Sequence, residues 1–204
     1  MLSHFLRAIN KPIIYIANEQ TQVTSSATTI TINVPTGTIN GDLLIAVVTA
    51  PAGGTTWTTP SGWTVGITAS QGRTVFYKTA SSEPASYTFT SSASGTNQGY
   101  ILTYRNARFG VGGSVGSLAS PAVASAITTT VNNAIVFDVV AVGAVSITFS
   151  TPTGYTALVS NSDTTSPSSA IFYTTQVVAG STGTVSSTPS SGSARAYLFA
   201  IYPL

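Results

Sequence analysis

The chain repeats itself. The segment Trp57-Thr58-Thr59-Pro60-Ser61-Gly62-Trp63-Thr64 aligns with Phe149-Ser150-Thr151-Pro152-Thr153-Gly154-Tyr155-Thr156, with four of eight positions identical and the others conservative. At the same offset of 92 residues the apolar run Leu43 to Val48 meets Ile135 to Val140. Val75 to Thr79 matches Ile171 to Thr175 at offset 96, the slack falling in a longer Ser-rich stretch from Asn161 to Ser169, and Tyr100-Ile101-Leu102 matches Tyr197-Leu198-Phe199 at offset 97. Drift confined to loops, with the order of apolar segments retained, is the signature of a duplicated structural unit. Two copies are too few for a solenoid, so the chain forms either two small domains in tandem or one domain with two pseudosymmetric halves. The single domain is expected: each copy, 27–106 and 123–203, is small and lacks cysteine, and joining the two buries more surface per residue.

Within each copy the texture is β. Ile30, Ile32 and Val34 alternate with Thr29, Thr31 and Asn33, the period of a half-buried strand. Leu43 to Thr49 is instead continuously apolar and bounded by Gly41, Pro51, Gly53 and Gly54, as in a strand covered on both faces. Arg73 to Thr79, Tyr87 to Thr90 and Tyr100 to Tyr104 continue the series. The expected fold is all-β, a β-sandwich of jelly-roll type over residues 14–204. Residues 107–122, with Gly110, Gly112, Gly113 and Gly116, are expected to be a flexible Gly-rich linker between the copies. They are not a phosphate loop, because no Gly-Lys-Ser/Thr follows and no helical pattern comes after them.

Residues 1–13 have a different pattern. Leu2, Phe5, Leu6 and Ile9 fall at i, i+3, i+4 and i+7 with Arg7 and Lys11 among them, the apolar stripe of a short amphipathic helix. A helix this short is marginal alone, so the segment is expected to be a partner-binding arm whose contact residues are Leu2, Phe5, Leu6 and Ile9. It has neither the continuous apolar stretch nor the cleavage site of a signal peptide. Apolar runs such as Leu43 to Val48 are far short of the roughly 20 residues of a membrane span, and no membrane partner is expected.

Reactive side chains are scarce. The chain has five acids (Glu19, Asp42, Glu83, Asp138 and Asp163), one histidine, His4, and no cysteine, whereas 34 Thr and 28 Ser supply hydroxyls. Thiol catalysis, thiolate metal sites and disulfides are excluded, and the lone imidazole sits four residues from the start. No catalytic residue, cofactor or metal is assigned, and the chain is expected not to be an enzyme. Seven Lys and Arg spread over 204 residues are too few for a nucleic-acid groove.

Other residues invite two readings each. Trp57 and Trp63 would suit a sugar-stacking platform, but their repeat counterparts Phe149 and Tyr155 make them core anchors. Asp42 and Glu83 sit in turn contexts, and Asp138 stands inside an apolar run as a hydrogen-bonded interior or edge acid rather than a base. Asn161 and Asp163 read as a solvated loop ahead of a one-carboxylate calcium site. Arg105 and Arg108 read as a solvated pair, ahead of partners for acids of a neighbouring copy.

The succession Gly41-Asp42-Leu43-Leu44-Ile45-Ala46, Pro60-Ser61-Gly62-Trp63-Thr64, Val75-Phe76-Tyr77-Lys78, Glu83-Pro84-Ala85-Ser86-Tyr87-Thr88-Phe89 and Tyr104-Arg105-Asn106 resembles β-sandwich domains that recur in tailed-phage virion proteins and bacterial surface proteins. The resemblance extends over most of the chain from Ile14 and leaves the arm outside. It implies a non-enzymatic structural, decorating or receptor-contacting module, with no catalytic residues to carry over. The expectation is a phage virion structural protein, either capsid decoration (cement) or a head or tail appendage, assembled in the host cytoplasm. Its partners would be other virion proteins and, given few charges to desolvate, further copies of itself. A carbohydrate-binding or receptor-binding module, with a host-surface glycan as ligand, is the alternative.

Overall fold

A computed structural model describes residues 11–23, 25–50, 54–68, 72–161 and 167–204. The described residues contain fifteen strands and no helix: β1 (Ile14–Gln22), β2 (Ala27–Asn33), β3 (Leu43–Thr49), β4 (Trp57–Thr58), β5 (Thr64–Thr68), β6 (Arg73–Thr79), β7 (Ser86–Gly95), β8 (Gln98–Arg105), β9 (Ala107–Gly112), β10 (Ala122–Ala124), β11 (Ala134–Val142), β12 (Thr156–Asn161), β13 (Ser168–Gln176), β14 (Val185–Ser187) and β15 (Arg195–Pro203). The arm residues Leu2, Phe5, Leu6 and Ile9 lie outside the described residues, as does Asp163.

The fold is all-β and built of packed antiparallel sheets. One five-stranded sheet has the order β1-β8-β3-β6-β5, and a second has the order β12-β13-β11-β15-β9. Two smaller sheets, β2-β7-β4 and β10-β14, complete the set. When strands are matched through the sequence repeat, β3 with β11, β6 with β13, β8 with β15 and β5 with β12, the large sheets have the same strand order.

Three apolar clusters separate these layers. Alternate residues of β3 divide between two of them: Leu43, Ile45 and Val47 point into a core shared by the large sheets, and Leu44, Ala46 and Val48 into a core beneath β2-β7-β4. In the second half Phe137 and Val139 of β11, with Tyr197, Phe199 and Ile201 of β15, enter the shared core. Val136 and Val140, with Ala196, Leu198 and Ala200, face the third core beneath β10-β14. A strand buried on both faces favours apolar side chains at successive positions, which is the physical origin of the continuous apolar runs, with Asp138 of β11 as an exception. Trp57 and Trp63 are both buried in the first half's own core, with Trp63 edge-on to Tyr87 at 5.1 Å and Phe89 at 5.5 Å. Their counterparts Phe149 and Tyr155 pack half-buried against the third core.

The expected flexible linker is corrected by the structure. Residues Ala107–Gly112 form β9, which pairs with β15 from Pro203 opposite Ala107 to Phe199 opposite Gly112. The glycines of this stretch serve close approach. A Cβ on Gly112 would stand 2.5 Å from the Gly66 carbonyl oxygen in β5, one on Gly110 would stand 2.6 Å from the Tyr202 ring, and one on Gly116 would stand 2.2 Å from the Val123 carbonyl oxygen. Thus β5 and β9, the outer strands of the two large sheets, lie against each other and close one side of the shared core.

Candidate interaction face

Strand register brings the chain's entry point and several turns to one end of the molecule. Ile14 stands opposite Arg105, Leu43 opposite both Tyr104 and Thr79, Ala134 opposite Gln176, and Pro203 opposite Ala107. At this end the shared core opens into a groove of about 360 Å³ lined by Lys11, Pro12, Ile13, Asn133, Ile135, Thr175 and Pro203. Asn106, in the left-handed region at φ 57°, donates its side-chain amide to the Pro12 carbonyl at 3.1 Å, and its own carbonyl accepts the Leu204 N–H at 3.1 Å. Both described chain ends are thereby anchored beside the groove.

Around it, ion pairs hold the turns. Asp42 is buried and accepts the Ile39 N–H at 3.0 Å, while the Arg105 guanidinium grips both its oxygens, Nε to Oδ1 at 2.9 Å and Nη2 to Oδ2 at 3.0 Å. The hydrogen bond to Asp42 raises Arg105 further above its ordinary range. Arg105 also reaches the Gly37 carbonyl at 3.1 Å, so it is an intrachain clamp rather than a solvated charge or a partner for a neighbouring copy. Arg108 is exposed and stacks on the Tyr202 ring, 5.1 Å from its centroid. Glu83 accepts hydrogen bonds from Lys78 Nζ at 3.0 Å, from the Ser81 N–H at 2.6 Å and from the Tyr87 hydroxyl, while Lys78 also donates to Tyr87 Oη at 2.7 Å. Burial acts against both charges of this pair, but the hydrogen bonds win, raising Lys78 and lowering Glu83. Asp42 and Glu83 are therefore each committed to a cation of their own chain.

Six large apolar side chains are exposed at this end. Ile14, Tyr15, Ile39, Val177, Val178 and Leu204 are between 42% and 69% exposed. Sequence reasoning missed this face, since its members come from four separate segments. The one local signal is Val177-Val178 continuing past the end of β13.

At the opposite end the shared core closes on polar groups. Tyr100 Oη and Ser169 Oγ lie 2.8 Å apart, Ser169 donates to Gln98 Oε1, and Arg73 donates across the sheets to the Ala141 carbonyl at 3.1 Å. These bonds join β8 and β6 of one sheet to β13 and β11 of the other. Asp138, the interior acid expected from sequence, is fully buried. Its Oδ2 accepts from Ser187 Oγ at 2.7 Å, and its Oδ1 has no hydrogen-bond partner among the described residues. Burial pushes this carboxyl up to about 6 against the Ser187 hydrogen bond. Among the described residues no three or more His, Cys, Asp or Glu side chains gather as a metal site.

Compared with protein-family models, curated proteins and solved structures, the chain matches none. Its functional reading rests on its own residues.

Proposed function

We propose that the protein is a non-enzymatic virion structural protein, a capsid decoration or a head or tail appendage protein, attached by the end from which the arm leaves. The observation that carries this is the gathering of Ile14, Tyr15, Ile39, Val177, Val178 and Leu204 beside the point where the arm enters the fold. Exposed apolar side chains gathered at one end mark an interaction site, and the arm's sequence holds four more apolar residues, Leu2, Phe5, Leu6 and Ile9. The reading takes the two halves as related copies of one jelly-roll-type unit. It is supported by their equal strand order and by the alternation of strands between large and small sheets. A glycan-binding reading is less well supported, because stacking platforms need several exposed rings and Tyr15 is the one exposed aromatic among the described residues.

Deleting Met1 to Lys11 tests the attachment. The melting temperature is expected to stay nearly unchanged, since a terminal segment this short contributes little to a fold unless it docks, while association with phage particles is lost. A truncated chain that decorates particles at full occupancy would remove the arm from the attachment.

A further inference from the structure

We infer that the arm-bearing end docks on a different protein, whose contact surface is apolar and rimmed by carboxylates, rather than on a second copy of this chain. The inference rests on the attachment reading above and adds the chemistry of the partner.

The cations carry it. Of the seven Lys and Arg, Arg7 and Lys11 belong to the arm and its stem, and Lys78, Arg105 and Arg108 lie on strands toward the same end. The acids at this end, Asp42 and Glu83, are already taken by Arg105 and Lys78. Lys11 and Arg108 remain at this end without an ion pair among the described residues, and the arm's sequence adds Arg7. The face and the arm thus share one chemistry, apolar contact area edged by positive charge, although their residues are far apart in sequence. Complementary charge at an interface rim steers association and rejects wrong partners.

A second copy does not supply the complement. A two-fold contact through this end would bring two sets of the same unpaired cations into one interface, while the side-chain carboxylates there, Asp42 and Glu83, are already paired within each copy. Elsewhere in the described residues Asp138 is buried and Glu19 lies midway along β1, opposite Ile101. A bilayer fits less well than a protein: anionic-lipid recognition uses clusters of about 4–8 cations, and a flat surface leaves the groove walled by Ile13 and Ile135 unfilled. A side chain from a protein partner can enter that groove.

The test uses the full chain and particles assembled with it. The double variant Lys11→Glu with Arg108→Glu, both on the surface, should melt within a few degrees of the wild type, the Arg108–Tyr202 stacking being lost, and should lose about tenfold or more in particle occupancy, because the new carboxylates would face like charges. Lys11→Arg should retain occupancy. Carbodiimide, which joins amines to carboxylates without a spacer, should couple Lys11 to an Asp or Glu of another virion protein, and Lys11→Arg should abolish that product. Undiminished occupancy of the charge-reversed variant, or coupling of Lys11 to Glu19 or Asp163 of a second copy, overturns the inference while leaving attachment intact. Self-association in sedimentation that the same variant abolishes would assign the face to a second copy. Co-sedimentation with phosphatidylserine vesicles that the variant abolishes would assign it to a membrane. If the wild-type chain is not retained on particles at all, the attachment reading itself fails, and the inference with it.

Discussion

Asp138 is the residue most at odds with its surroundings. Its repeat counterpart at offset 92 is Ala46, so the second half places a carboxylate where the first places a methyl group. An aspartate in an unfolded chain titrates near ~3.9, and in the fold burial pushes Asp138 up to about 6. The folded chain therefore holds this proton to higher pH than the unfolded one. Stability falls as pH rises between those two values, and the full penalty, about 3 kcal/mol, stands above the upper one. Asp138→Asn keeps an oxygen to accept from Ser187 and removes the charge, so it is expected to raise the melting temperature at about pH 8 and to give little gain at about pH 4. Thermal melts across that range check it, and an equal effect at both ends would mean that the charge is not the source.

Among the elements, β9 is the one whose physical role differs most from its composition. In a flexible linker, Gly→Ala is neutral or stabilises by about 0.4–1 kcal/mol through the unfolded chain. In β9 the added methyl of Gly112→Ala would meet the Gly66 carbonyl oxygen at 2.5 Å and Ile67 Cγ1 at 2.6 Å, where two sheet edges touch. Overpacking of this kind costs about 1–3 kcal/mol. The variant is expected to melt roughly 2–12 °C below the wild type, at about 2–4 °C per kcal/mol for a chain of 204 residues. A melting temperature at or above that of the wild type would mean that the edges of β5 and β9 separate readily.

The whole molecule is joined through its middle layer. Each half has a core of its own, but Tyr104, Phe137, Phe199 and Phe109 form a chain of ring contacts between the large sheets, from Tyr104–Phe137 at 5.6 Å to Phe109–Phe199 at 6.0 Å. Tyr77 extends it by stacking on Phe109 at 4.3 Å. Separation would expose one face of each five-stranded sheet and strand the buried Gln98, Ser169 and Arg73 without their cross-sheet bonds. Unfolding is expected to be a single cooperative transition, and fragments 11–106 and 107–204 are expected each to lack a cooperative melt. Calorimetry of the intact chain and of both fragments checks this, and two independent transitions would contradict it.

Much of this was legible in the chain itself. The alternation of Ile30 and Ile32 with threonines and the apolar runs of β3 and β11 located strands and marked those buried on both faces. These are local signals, because a side chain's period along a strand depends only on backbone geometry. What lay opposite each strand was decided by the tertiary structure. Gly112 carries no side chain whose pattern could announce Gly66 across the sheets, and nothing near Arg105 in sequence names Asp42, 63 residues away, as its partner. The apolar face at the arm-bearing end exists only because antiparallel pairing returns Ile14, Ile39, Val177 and Leu204 to one end. Long-range strand pairing makes neighbours of residues that share no local pattern, and it is that pairing which turns scattered hydrophobic side chains into a surface.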